Sequence, residues 1–329
     1  MRVFVLGAGA SLHVGYPLTR DLGPKLIEWA ASNTRSNQLN WPDPDELSKL
    51  GALDDIEELI SQIEKNPKPG PILEGLRNAL CEYFDTIRIG EAALYRRLAE
   101  DVVETSDVVV TFNYDVSLDR ELRRAGKWNV GDGYGFSLGI NSSPSSGVKL
   151  LKLHGSTNWM DVLFDGLRGG GIQVGGGDSH GPRPVLLPQE FQFLEYVGIR
   201  DPRFNGGGMT RSGSMILPSR DKKFFVSTTT NPRERQRFWS DLWGQAAEAL
   251  QAANEISIVG YSLPTADGDA RKLIFDHCSR DAVLTICCGS RNKHLADEFV
   301  QAHFVRQRIC TEFNRFEHWV AARCSEVIS

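Results

Sequence analysis

The feature that most constrains the fold of this chain is a series of short apolar runs of strand length. Continuous apolar runs of this kind are typical of strands buried on both faces of a parallel sheet. Segments with apolar residues at helical spacing separate them. The runs lie at residues 3–6, 108–112, 149–154, 255–260 and 282–288. This alternation predicts an α/β fold, a Rossmann-like parallel sheet with helices on both faces.

Two stretches depart from the alternation. The helical pattern covers residues 19–31, 54–64, 71–85, 91–104, 116–124, 232–253, 268–278, 291–302 and 315–324. Four of these helices fall between the first two strands, and the last three make residues 54–105 too long for a simple crossover, so this stretch is predicted to form an inserted helical subdomain. Residues 165–215 contain three Gly-Gly-Gly triplets and indicate either a mobile surface loop or a cover for an active site. We expect one domain over residues 1–329 that contains both.

Charge and hydropathy exclude several classes of function. The net charge of −5 gives no overall attraction for nucleic acid or for an anionic membrane. No run approaches the 18 or so apolar residues of a membrane span. The apolar run at residues 3–6 is too short for a signal-peptide core. We therefore expect a cytoplasmic protein without strong direct nucleic-acid binding.

The cysteines point away from a metal site. Six are present, and no two are spaced as C-x-x-C. The pairs that build zinc ribbons and dithiol redox motifs are therefore missing. The sequence predicts free thiols in a reducing compartment, and no zinc.

The first run ends in Gly7-Ala8-Gly9-Ala10-Ser11, directly before a helical segment. Glycines at such a place let backbone N–H groups approach a phosphate, although a tight turn without a ligand explains them equally. The dinucleotide fingerprint would need a small residue at Leu12 and an acidic residue some 20 positions on. An ordinary hydride-transfer dehydrogenase is thus a poor fit.

Polar side chains follow three further runs, at the sheet edge where ligands of open α/β sheets bind. Asn113 can donate and accept, and Asp115 can accept or can cap the next helix. His154 follows the third run and is either a general base or a structural histidine. Gly260 would permit close approach, or would serve only as a turn, and Ser262 could bind a sugar or phosphate oxygen.

Together these motifs form an ordered series that resembles the sirtuin superfamily. The flanking residues look most like the sirtuin-like domains of bacterial anti-phage NAD hydrolases. The matching segments are Gly15-x-Pro17, Asn113-Tyr114-Asp115, Lys152-Leu153-His154-Gly155-Ser156 and Gly260-Tyr261-Ser262-Leu263-Pro264 followed by Asp267. Two features of sirtuin deacylases are missing: the zinc-binding C-x-x-C pairs after His-Gly, and the Phe-Arg of the glycine loop, where Leu18-Thr19-Arg20 stands.

The resemblance implies an NAD⁺ hydrolase that releases nicotinamide and ADP-ribose. It implies that Asn113 positions water and ribose, that His154 acts as base or activates a ribose hydroxyl, and that Asp115 binds the ribose or supports Asn113. The residues implied in NAD⁺ binding are Gly7, Ala8, Gly9 and Ser11 at the pyrophosphate, and Gly260, Ser262 and Leu263 at the adenosine end.

The same resemblance implies that the chain depletes NAD⁺ during phage infection. Relatives of this kind work with a sensor, so we expect self-assembly into a homo-oligomer or a separately encoded sensor or ATPase partner. Two alternatives remain open from the residues alone. One is a protein deacylase or ADP-ribosyltransferase, and the other is a non-catalytic module that binds NAD or ADP-ribose.

Overall fold

The computed structural model describes most of the chain outside two long stretches. The described residues are 1–32, 56–65, 72, 73, 76, 79, 80, 83, 84, 86, 87, 92–129, 132–135, 147–157, 161–162, 209–210 and 232–326. Almost all of the glycine-rich region at residues 165–215 lies outside them, and so does much of the predicted subdomain at residues 54–105. The roles expected of those two regions therefore stay predictions.

Six parallel strands form one sheet, which confirms the predicted fold class. Its members are β1 (Arg2–Leu6), β2 (Val108–Thr111), β3 (Lys149–Lys152), β6 (Glu255–Val259), β7 (Val283–Cys287) and β8 (Ile309–Cys310). They are ordered β3-β2-β1-β6-β7-β8, with every neighbouring pair parallel. A separate antiparallel pair consists of β4 (Asp161–Val162) and β5 (Met209–Thr210).

The helices follow the predicted segments closely. They are α1 (Thr19–Ser32), α2 (Ile56–Glu64), α3 (Ala93–Arg97), α4 (Ser117–Arg124), α5 (Pro232–Ala252), α6 (Gly268–His277), α7 (Asn292–Gln301) and α8 (Phe316–Glu326). A π-helical turn, Leu98–Val102, continues α3, and 3₁₀ turns occupy Ala8–Val14, Gly289–Arg291 and Arg306–Arg308. The 3₁₀ turn after β1 was not predicted, and neither was β8, which has only two residues.

Burial of the central strand explains why these sequences form a two-sided core. Val3, Phe4, Val5 and Leu6 are all essentially inaccessible to solvent. Because successive side chains of a strand point to opposite faces, burial of all four means that both faces of the sheet are covered.

The strand order indicates where on the sheet a ligand would bind. From β1 the chain adds β2 and β3 on one side and β6, β7 and β8 on the other, so the order reverses between β1 and β6. In open α/β sheets, ligands bind outside the carboxyl ends of the strands at such a reversal. The loops that begin at Gly7 and Gly260 meet there.

Candidate active site

Close backbone packing explains the glycines at this reversal. The amide of Gly7 donates to the carbonyl of Val259 at 3.1 Å, and the amide of Gly9 donates to that of Gly260 at 2.9 Å. A Cβ on Gly260 would lie 2.2 Å from the amide nitrogen of Ala10, and a Cβ on Gly9 would lie 2.8 Å from the Cα of Gly260. The loops touch so closely that only glycine fits.

The same packing uses backbone N–H groups that the resemblance assigns to pyrophosphate binding. Besides the Gly7 and Gly9 amides, the amide of Ala10 donates to the carbonyl of Gly7 at 2.9 Å. In the described part of the chain, the amide of Ala8 donates to no backbone carbonyl. The predicted phosphate contacts of Gly7, Ala8, Gly9 and Ser11 stay predictions, with Ala8 the amide best able to make one.

Asn113 lies at the centre of a buried polar group that we call the amide cluster. Its Nδ2 donates to the carbonyl of Gly7 and to Oγ of Ser11, each at 3.0 Å. The Ser11 hydroxyl also lies 2.7 Å from Oδ2 of Asp115 and 2.7 Å from the hydroxyl of Tyr95. The amide cluster consists of Ser11, Tyr95, Asn113 and Asp115.

The donor and acceptor roles in this cluster follow from its chemistry. An ionised carboxylate can only accept, so the single proton of Ser11 goes to Asp115. The two lone pairs of Ser11 then accept from Nδ2 of Asn113 and from the Tyr95 hydroxyl. Both amide hydrogens of Asn113 are thereby used, and its Oδ1 has no hydrogen-bond partner among the described residues. Among the described residues, Oδ1 is therefore the atom of this amide that can still accept a hydrogen bond.

Asp115 is not the N-cap of α4, which is Val116, but its carboxylate makes two contacts just before that helix. Its Oδ1 accepts from the amide of Ser117 at the start of α4, at 3.0 Å, while its Oδ2 accepts from Ser11. The carboxylate thus supports Asn113 through Ser11, one of the two roles that the resemblance implies for it.

Tyr95 is a member of the cluster that sequence reasoning missed. It belongs to α3, in the segment predicted as an insertion, and it is fully buried. Burial raises the pKa of its phenol well above the ordinary value, and the nearby charge of Asp115 raises it further. The phenol therefore stays protonated and donates. No motif marks Tyr95, because an aromatic residue at helical spacing looks like any core residue.

His154 lies beside the amide cluster in a buried aromatic setting. Its ring packs edge-on against Phe112, with centroids 5.0 Å apart, and lies 6.1 Å from the ring of Tyr114. These are the two neighbours of Asn113 in sequence, so the strand ends bring His154 and Asn113 to one place. Trp243 of α5 faces the imidazole at 6.4 Å, and its indole N–H donates to the carbonyl of Leu153 at 3.2 Å.

A carboxylate completes this second group, which we call the imidazole cluster. Oδ2 of Asp267 lies 3.5 Å from Nε2 of His154 and accepts a hydrogen bond from the hydroxyl of Tyr261. Tyr261 in turn stacks on Phe112, with centroids 4.2 Å apart. The imidazole cluster consists of Phe112, Tyr114, His154, Trp243, Tyr261 and Asp267.

A buried lysine on β3 binds the loop that carries Asn113. Lys152 is wholly inaccessible; its Nζ donates to the carbonyl of Asp115 at 2.6 Å and lies 3.3 Å from Oδ2 of Asp119. Asp119 also accepts from the hydroxyl of Tyr134 at 2.7 Å. Burial raises the pKa of Asp119, although the charge of Lys152 opposes that rise. The hydrogen bond to Asp115 ties β3 to the loop after β2, and the ion pair ties β3 to α4.

The two remaining predicted residues lie in the loop after β6. Ser262 is half-buried, and Leu263 is buried with its backbone in the left-handed region at φ 47°. Arg271 donates to the carbonyl of Leu263 at 2.7 Å, which helps to hold this uncommon conformation. Their predicted contacts with the adenosine end stay predictions.

Two further features of the described residues concern metals and membranes. No group of three or more His, Cys, Asp or Glu side chains there is arranged to hold a metal ion. Among the helices described, none combines the length and the apolar character that a membrane crossing requires. The expected absence of zinc and the expected cytoplasmic location both stay predictions.

Comparison with known proteins gives distant likenesses to solved structures only. No protein-family model matches the chain, and no curated protein matches it. A solved chain from a study of the structural basis for the mechanism and regulation of Sir2 enzymes aligns with 99% of this chain and 92% of its own. The identity is 15% and the TM-score 0.40. So remote a likeness decides neither fold nor activity, which rest on the strand pairing and on the side chains.

Proposed function

We propose that this chain is an NAD⁺ hydrolase that cleaves the bond between nicotinamide and ribose. The observation that carries the proposal is that Asn113 and His154 follow neighbouring strands at the same edge of the sheet, beside the reversal of the strand order. Oδ1 of Asn113 can still accept a hydrogen bond there, and His154 packs against both neighbours of Asn113 in sequence. The resemblance of the motifs to sirtuin-like NAD hydrolases supports the substrate.

The chemistry needs little more than these two groups. Nicotinamide leaves as a neutral molecule with the bonding electrons, so no strong general acid is needed. The ribose carbon becomes oxocarbenium-like, as in glycoside hydrolysis. Water adds to that carbon and loses its proton, and ADP-ribose results. Oδ1 of Asn113 would accept a hydrogen bond from the water or from a ribose hydroxyl, and His154 would take the proton.

For its biological role, we propose depletion of NAD⁺ as the effector step of a bacterial anti-phage defence. The basis is the match of Asn113-Tyr114-Asp115 and of Gly260-Tyr261-Ser262-Leu263 with Asp267 to that branch of sirtuin-like domains. In this setting the chain would act as a homo-oligomer or with a separately encoded sensor or ATPase.

The decisive experiment incubates the purified full chain with NAD⁺, alone and with the products of neighbouring genes. Nicotinamide and ADP-ribose, released in equal amounts and over many turnovers, are the expected products. Binding of NAD⁺ without release would indicate the non-catalytic module instead. Release that requires an acyl-lysine peptide or a protein acceptor would indicate a deacylase or an ADP-ribosyltransferase.

Elemental analysis of the same preparation adds an independent check. We expect no bound zinc, because the C-x-x-C pairs that hold it in deacylases are missing from the sequence. One zinc per chain would revive the deacylase alternative.

A further inference from the structure

Asp267 is a buried carboxylate whose two oxygens have different surroundings. It is 2% exposed and comes directly before α6. Its Oδ1 accepts from the amide of Ala270 at 3.3 Å, which is an N-cap contact. Its Oδ2 faces away from that contact, toward the hydroxyl of Tyr261 and toward Nε2 of His154 at 3.5 Å. A cap alone would need only the first oxygen.

We propose that Asp267 is a positioning residue for His154, fixing the orientation and tautomer of the imidazole. The inference rests on the proposed function, in which His154 is the base. A carboxylate next to Nε2 favours the tautomer that carries its proton on Nε2, and the lone pair then lies on Nδ1. The base that accepts the proton of water is therefore Nδ1.

Tyr261 completes the arrangement. Its hydroxyl donates to the same Oδ2, and its ring stacks on Phe112, which also packs against His154. Movement of the carboxylate would therefore disturb the ring contacts as well. Asp267 is thus held by the first turn of α6 and by the Tyr261 hydroxyl, and it orients the imidazole of His154.

The described residues around His154 include only a few that can titrate or carry charge. The β2 loop contributes Tyr114, and the β6 loop contributes Tyr261 and Asp267. Phe112 and Trp243 pack on the ring without charge, and the ammonium of Lys152 is directed to Asp119 on α4. Asp267 is thus the carboxylate that the described structure places against the imidazole.

The test reads the tautomer directly. Histidine labelled with ¹⁵N is introduced into the full chain, and long-range ¹H–¹⁵N spectra are recorded, with His154→Gln used to assign the resonance. We expect His154 in the Nε2–H form in the unmodified chain. The Nδ1–H form would overturn the proposal, whatever the activity of the chain.

Two matched variants separate positioning from capping. Asp267→Asn removes the charge but keeps an oxygen that can cap α6, because Asn and Asp cap equally well. Asp269→Asn removes an exposed carboxylate from the first turn of the same helix. We expect Asp267→Asn to lower the pH midpoint at which His154 titrates, and Asp269→Asn to leave it in place. An unchanged midpoint in Asp267→Asn would overturn the proposal.

Kinetics give a third readout. Loss of the partner that orients a metal-binding histidine typically costs 10- to 100-fold, and we expect a similar loss of kcat in Asp267→Asn. The acid limb of its pH–rate profile should move to lower pH, since the neutral imidazole then persists there. Should the unmodified chain prove unable to cleave NAD⁺, the proposed function fails while the spectra still decide the role of Asp267. If Asp267→Asn fails to fold, Tyr261→Phe replaces it, because this variant removes the hydroxyl that holds the same Oδ2. The spectrum of the unmodified chain still reports the tautomer of His154.

Discussion

The two halves of the candidate site are built on opposite plans. In the amide cluster every proton has an assigned acceptor, and Oδ1 of Asn113 is left able to accept a hydrogen bond. In the imidazole cluster the rings of Phe112, Tyr114 and Trp243 pack around His154, and Asp267 is the described carboxylate placed against it. The first is a fixed scaffold of hydrogen bonds, whereas the second holds a group that can change its protonation state.

This difference separates positioning from proton transfer. Substitutions in a satisfied hydrogen-bond network leave groups unpaired and displace their neighbours. Substitutions around a titratable group change its protonation and hence the pH dependence of the reaction. If the clusters have these separate roles, substitutions in the amide cluster should lower the rate, and substitutions around His154 should change its pH dependence.

The largest effect is expected for His154→Ala. Loss of a general base typically slows a reaction by about 10²- to 10⁴-fold, while the fold and some NAD⁺ binding should survive. Turnover of NAD⁺ and binding by calorimetry are the measurements. A variant that turns over at the normal rate would remove His154 from the mechanism.

Gly260→Ala should break both clusters together, because Gly260 joins the loops that carry them. At φ 65°, with a Cβ only 2.2 Å from the Ala10 nitrogen, alanine adds backbone strain to overpacking. The expected cost is roughly 2–6 kcal/mol of unfolding free energy, measured by urea denaturation. The matched control is Gly244→Ala within α5, where a Cβ meets nothing within 4 Å. Better helix propensity should make it up to about 1 kcal/mol more stable, and equal effects at both sites would contradict this account.

Asn113→Asp should lose activity nearly as severely as Asn113→Ala, by about 10²-fold, the typical cost of misplaced reacting groups. A carboxylate oxygen in place of Nδ2 would face the carbonyl of Gly7 and the oxygen of Ser11, whose proton already goes to Asp115. Single-turnover nicotinamide release at saturating NAD⁺ measures the effect.

Asn254→Asp provides the control for Asn113→Asp, because it adds the same charge at an exposed residue before β6, on the opposite edge of the sheet. It should behave as the unmodified chain does. Near-normal release by Asn113→Asp would show that electrostatic help to the oxocarbenium outweighs the amide contacts, and the scaffold description of the amide cluster would be wrong.

The smallest effect is expected at His13, which packs on Tyr95 of the amide cluster with ring centroids 4.8 Å apart. Burial lowers the pKa of His13, and in the described structure its buried Nε2 has no hydrogen-bond partner. As the pH falls through the ordinary histidine value, near 6.5, the unfolded chain takes up the proton first and stability decreases.

His13→Gln should therefore flatten the decline in unfolding free energy as the pH falls below neutrality, measured by urea denaturation at several pH values. His318→Gln, at an exposed histidine of α8, should leave the decline as it is. An effect of His13→Gln on the pH profile of NAD⁺ cleavage would show that a titrating group acts from the amide side.

Local patterns in the sequence were enough to predict the α/β class, the helix and strand segments, and the edge of the sheet at which the candidate site lies. Buried strands such as β1 need apolar residues at every position, and helices need apolar residues at a spacing near 3.6, so both leave local patterns. Hence the predicted bounds of α5 and β6 lie within about two residues of those observed. The meeting of Asn113 with His154 was predictable because parallel strands end at one edge.

Only the tertiary structure decided which partners these residues have. Tyr95 comes from a helix 84 residues after Ser11, and Asp267 lies more than 100 residues after His154. The sequence left the amide of Asn113 able to donate and accept at once, but the pairing of β1 with β2 and the 3₁₀ turn after β1 bring Gly7 and Ser11 to its nitrogen. Such contacts depend on how strands and loops pack in three dimensions, and no local pattern of residues encodes that packing.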